Sequence, residues 1–157
     1  MQHLLILALV ALQVYVVAFI GLHDWVQLGD LNDVGAVQAA DSRTRLIKVT
    51  VYSTLPFALA LVACAVYADT RFPGWLNWFL YIVYGLAGLG MIRAWWGPYL
   101  LWNEPARAAR YRAMFGNTRA FLPERNGIRP NTLHVSLHLV LVAIIVLLIV
   151  RRTVFKA

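Results

Sequence analysis

LHVSLHLVLVAIIVLLIV, residues 133–150, has no charged side chain and ends on Arg151 and Arg152. At about 1.5 Å rise per residue such a segment is long enough to cross the hydrocarbon core of a bilayer. All of it is Leu, Ile, Val or Ala except His134, Ser136 and His138, which sit in its first turns. Each large aliphatic side chain near the centre favours insertion by roughly 0.3–0.6 kcal/mol, several kcal/mol in sum. The segment therefore predicts a transmembrane helix, and three similar stretches lie upstream of it.

Residues 3–22 form the first, with no Lys or Arg before it and no small-x-small cleavage pattern, so it reads as a retained span and not as a secretory signal. Gln13 falls near its midpoint, where an amide needs a partner on another helix. Residues 49–68 form the second. Pro56 lies inside it and predicts a kink, because the Tyr52 carbonyl loses its helical donor. Ala60, Cys64 and Ala68 recur every four residues and predict a stripe for close helix approach. Residues 75–96 form the third, with Gly85, Gly88 and Gly90 in the middle. Trp75 and Trp78 mark one membrane interface, and Trp95, Trp96 and Trp102 the other.

Composition agrees. Apolar residues are 61% and charged residues 13% of the 157, and mean hydropathy is +0.67, against about 45–50% apolar and 25% charged in soluble domains. The expectation is a single all-α integral membrane domain over residues 1–157, a four-helix transmembrane bundle running up-down-up-down. The net charge of +7 would suggest nucleic acid in a soluble protein. Here the basic residues sit between apolar spans, so the expected partner is a bilayer with anionic headgroups, and nucleic acid is not expected. A single cysteine, Cys64, excludes an intrachain disulfide and a cysteine-based metal cluster.

The connections are uneven. Residues 23–48 predict a short surface helix near Val34–Ala40, with Asp41 or Ser42 capping the next helix. Asp69–Gly74 is a tight turn. Residues 97–132 predict an interfacial amphipathic helix opening at Asn103-Glu104-Pro105, with Ala108, Tyr111, Met114 and Phe115 on one side and Arg107, Arg110 and Arg112 toward headgroups. Turn signals follow at Gly116-Asn117, Asn126-Gly127 and Pro130-Asn131. Two connections share one face and carry Arg43, Arg45, Lys48, Arg107, Arg110, Arg112, Arg119, Arg125 and Arg129, nine in all. The other face carries Arg71, Arg151, Arg152 and Lys156, four in all. Nine against four predicts a cell (inner or plasma) membrane protein with both long connections in the cytoplasm and both termini outside, although Arg151 and Arg152 dissent.

Chemistry concentrates at one mouth. His23 closes the first span beside Asp24, and His134 and His138 open the fourth one helical turn apart. Neighbouring first and fourth helices would let three imidazoles and a carboxylate converge. Imidazole suits Zn, Cu and Fe, and three such ligands with an open position form a catalytic metal pattern. His23 with either partner could instead hold a haem iron from two sides. The plainer expectation is interfacial histidines bonded to loop carbonyls, tryptophans or headgroups. A second candidate site is an anion or lipid-headgroup pocket from Arg93, Arg119, Arg125 and Arg129, since guanidinium supplies fixed bidentate donors. No Asp, Glu or Lys lies within the four spans, which argues against a proton-coupled exporter. No phosphate loop, HExxH or Ser-His-Asp spacing is visible. Three functions follow as expectations: an accessory or self-associating membrane subunit, in a homo-oligomer or a larger complex; a metal or haem protein, possibly an oxidoreductase; and a lipid or small-anion carrier.

Overall fold

The computed structural model describes residues 2–154, with side chains described for 3–153. It is all-helical: α1 (Gln2–Leu22), α2 (Val34–Ala40), α3 (Arg43–Val66), α4 (Gly74–Met91), a π-helical turn (Ile92–Trp96), α5 (Gly97–Leu100), α6 (Pro105–Phe115) and α7 (Thr132–Val154). No strand occurs among the described residues, only an isolated bridge between Arg125 and Ile128. Four helical segments are long and apolar enough to cross a membrane: His3–Leu22, Arg43–Val66, Gly74–Leu100 and Thr132–Thr153. The protein is thus a candidate multi-pass membrane protein.

Three spans are longer than the hydropathy suggested. Ser42, one of the two expected caps, opens α3 by accepting from the Arg45 N–H at 3.3 Å, so Arg43, Arg45 and Lys48 occupy its first turns. The third span continues through the π turn to Leu100, and the fourth runs from Thr132 to Thr153. Pro56 lies inside α3 without ending it, and Tyr52, whose carbonyl it leaves without a donor, points outward.

The long helices pack as neighbours, α1 against α3 and α7, and α4 against α7 and α3. Their shared core holds Ile6, Leu9 and Val16 from α1, Phe57 and Ala60 from α3, Leu76, Leu80 and Tyr84 from α4, and Leu141, Ile144 and Leu148 from α7. Opposite faces remain apolar and open, as at Val62, Val66, Leu86 and Leu139, which suits lipid as solvent. Gln13 finds its partner across α1 and α3, donating from Nε2 to Cys64 Sγ at 3.4 Å. Its Oε1 and the buried Tyr84 hydroxyl have no partner among the described residues. Ala60 and Cys64 are fully buried, so most of the α3 small-residue stripe serves contact within the chain. Gly88 likewise faces inward, where a Cβ would lie 3.3 Å from Ile145 Cδ1, whereas Gly85 and Gly90 have open space around them.

The first and third connections fold onto each other. With Ser42 as the cap, Asp41, the other candidate, is a hub: its carboxylate meets Arg45 at 2.9 Å and Arg110 of α6 at 2.5 Å. The Arg119 N–H donates to the Asp30 carbonyl at 2.7 Å. Buried Asn32 ties the first loop, accepting from the Leu28 N–H at 2.6 Å and donating to the His23 and Val26 carbonyls at 2.7 and 2.8 Å. At the Asn126-Gly127 turn, Gly127 has φ +73°, and a Cβ there would lie 2.9 Å from Ala108 Cβ. Only glycine fits both the conformation and the approach to α6.

Candidate functional site

The mouth under these two connections is where the histidines lie. The end of α1 brings Phe19 and His23, and the start of α7 brings His134 and His138. The π turn adds Trp95 and Trp96, and α6 adds Tyr111 and Phe115. The π turn has a local cause. Pro98 carries no N–H, so the Ala94 carbonyl lacks its ordinary helical donor. Tyr111 Oη–H supplies one at 3.1 Å and Arg107 Nη1 a longer one at 3.5 Å. Trp95, within this turn, is buried at 6% exposure and sits in this cluster, not in the expected interfacial belt, while Trp75 and Trp78 at the other end are exposed.

The rings interlock. His23 stacks on Phe19 with centroids 4.6 Å apart, and His134 stands edge-on to His23 at 5.5 Å. His134 also meets Trp95 at 4.6 Å and Phe115 at 4.9 Å. His138 lies 6.4 Å from His134 and against Trp95 and Trp96 at 6.0 and 5.8 Å. Hydrogen bonds hold two of the imidazoles. His23 Nδ1 is 3.0 Å from the Phe19 carbonyl and its Nε2 is 3.2 Å from Asp24. His134 Nδ1 is 2.7 Å from Asn131 Oδ1, which also accepts from the His134 N–H at 2.9 Å. His138 Nδ1 is buried and unpartnered among the described residues. Burial raises the Asp24 carboxyl above its ordinary range, with His23 acting against the shift.

His23, Asp24, His134 and His138 are thus brought together, as the sequence suggested. A metal centre on them is not shown. Among the described residues no group of three or more His, Cys, Asp or Glu is placed to hold a metal ion. The imidazoles turn their faces and edges to aromatic rings, and the nitrogens of His23 go to a carbonyl and to Asp24. His23 and His134 meet edge to face with centroids 5.5 Å apart, not across a haem-sized gap.

The four arginines of the second candidate site go to separate places. Arg93 pairs with Glu104 at 3.0 Å. Arg125 lies 5.8 Å from the Tyr99 ring, Arg129 donates to the Ala120 carbonyl at 3.4 Å, and the Arg119 side chain is exposed. Of the four, only Arg129 lines a small cleft of about 230 Å³, shared with Arg112 and Glu124. The α6 arginines also differ from expectation. Arg107 pairs with Glu104 at 3.0 Å, Arg110 with Asp41, and Arg112 with Glu124 at 3.4 Å, so carboxylates of the same chain engage them. Hydrogen bonds from Arg107 and then Arg93 hold the Glu104 carboxyl down to about 2.

Tyr111, Phe115 and the Ala94 carbonyl also belong to this mouth, and the sequence alone did not point to them; a tryptophan beside the histidines was expected, and Trp95 is one. The spacing of Ala94 and Pro98 by four residues was the available signal. No family model, curated protein or solved structure matches this chain.

Proposed function

We propose that the protein is a non-catalytic subunit of a cell membrane: an up-down-up-down four-helix bundle, seated among anionic lipids, that works by packing against copies of itself or within a larger membrane complex. The observation that supports this reading is the histidine mouth. Its imidazoles are engaged in ring contacts, and those of His23 and His134 also in bonds to their own chain, so they tie α1, α6 and α7 together; His138 Nδ1 alone is buried without a partner among the described residues. An end filled by such contacts suits a structural part better than a catalyst or a conduit. The contact face offered to a partner is the outer side of α4, where Gly85 and Gly90 leave space beside exposed Ile82, Leu86 and Leu89. Helices approach closely at such small residues.

Size measurement in lipid nanodiscs and by in-membrane cross-linking tests this. The wild type is expected to assemble, and Gly85→Leu with Gly90→Leu to shift it toward monomer. A wild type that stays monomeric and captures no membrane partner counts against the reading. Stoichiometric metal, or a haem absorption band lost on His138→Leu, would replace it with a metal or haem protein.

A further inference from the structure

At the mouth opposite the histidines, an open cleft of about 950 Å³ lies between the start of α1, the turn from α3 to α4 and the end of α7. Sites for small ligands run roughly 300–1,000 Å³, so the cleft has room for a headgroup and more. Among the described residues Arg71, Arg151 and Arg152 line it, against one carboxylate, Asp69, which faces His3 at 3.7 Å.

Arg151 is held in place. Its guanidinium lies 4.1 Å from the Phe72 ring centroid and donates to Asn77 Oδ1. Asn77 is oriented in turn, donating from Nδ2 to the Phe72 and Pro73 carbonyls at 3.4 and 3.2 Å. Arg151 Nε is buried with no acceptor among the described residues. Arg152 rests 5.6 Å from the Tyr81 ring. Among the described residues none of the three arginines pairs with a carboxylate, in contrast to Arg45, Arg93, Arg107, Arg110 and Arg112 on the other side. Uncompensated guanidinium charge therefore collects here, at the end of a span, with Ile6 and Trp78 as the apolar side of the cleft.

We propose that this cleft binds a phosphate group, carried by an anionic phospholipid or free in solution. Guanidinium forks match phosphate oxygens in pairs, and such charge-assisted bonds are about twice as strong as neutral ones. Arg151 is the preset anchor, and Arg71 and Arg152 close on the ligand from the turn and the helix end. The site is separate from the packing face on α4, so the two readings stand or fall independently.

The full chain, in phosphatidylcholine nanodiscs, is titrated with phosphatidylglycerol, and the lipid retained after mild extraction is counted by native mass spectrometry. Wild type is expected to retain phosphatidylglycerol over phosphatidylcholine. Arg71→Gln and Arg151→Gln should each lower that preference about tenfold, the equivalent of one lost charge-assisted bond. Arg71 is exposed and carries no bond to the described residues, so its variant folds even if Arg151→Gln does not. Arg112→Gln, at the opposite mouth, should leave retention unchanged. Inorganic phosphate that displaces the lipid identifies the free ion as a ligand, and failure to displace it identifies the lipid. Equal retention in wild type and Arg71→Gln, or an equal loss in Arg112→Gln, overturns the site.

Discussion

Glu104 joins two parts of the polar cap, because Arg107 on its own helix and Arg93 at the end of the third span both bond to it at 3.0 Å. These partners hold its carboxyl from 4.5 down to about 2. A carboxylate depressed in this way adds stability that is fully present above its ordinary range and is lost as pH falls through the folded value. The group is only half-buried, so solvent screens the effect and it is small. The expected outcome is that the thermal midpoint in detergent falls as pH drops from about 4.5 toward about 2, and that Glu104→Gln falls less over the same window. An identical slope in the two proteins would mean that the pair contributes nothing to the fold. At this scale the sequence was a fair guide to who gathers and a poor one to what they do. His23, His134 and His138 were placed at one mouth from helix ends alone. That their rings would meet Trp95 and Phe115 in particular is a matter of ring packing, which hydropathy does not encode.

Among the elements, the π turn Ile92–Trp96 has the sharpest test. Its cause is Pro98, and its compensation is the Tyr111 hydroxyl on the Ala94 carbonyl at 3.1 Å. Tyr111→Phe should cost about 0.5–1.5 kcal/mol, the usual net worth of such a bond. In a Pro98→Ala background, residue 98 regains an N–H able to serve that carbonyl, and the cost of Tyr111→Phe should shrink. Unfolding free energies of the four proteins in this cycle give the coupling directly, and strict additivity would show that the hydroxyl does not stand in for the missing donor. The four long helices were legible because eighteen or more apolar residues in a row leave few alternatives. The start of α3 was legible too, since Ser42 was one of two residues expected to cap it. The extra turn at the far end of the third span, from Gly97 to Leu100, was not. A helix that runs on through Pro98 is decided by single hydrogen bonds, below the resolution of a hydropathy window.

For the molecule as a whole, the question is which way it sits. The count of nine basic residues against four predicts that α2 and α6 face the cytoplasm, and the contact of α2 with α6 puts both long connections in one cap. Gln38 in α2 and Thr70 in the α3–α4 turn are exposed, and Cys64 is buried, so single cysteines at 38 or 70 report cleanly. Thr70→Cys should react with a membrane-impermeant maleimide in intact cells, and Gln38→Cys only after lysis. The reverse pattern would invert the protein and show that Arg151 and Arg152 outweigh the loops. The cap also constrains the order of assembly. Asp41 and Arg110 are 69 positions apart in the chain, so the first loop leaves the ribosome long before its partner exists. Until the third span has been threaded, Asp41 has only Arg45 to hold it, and a chain stalled at that stage would present an unlatched loop to proteases and quality control.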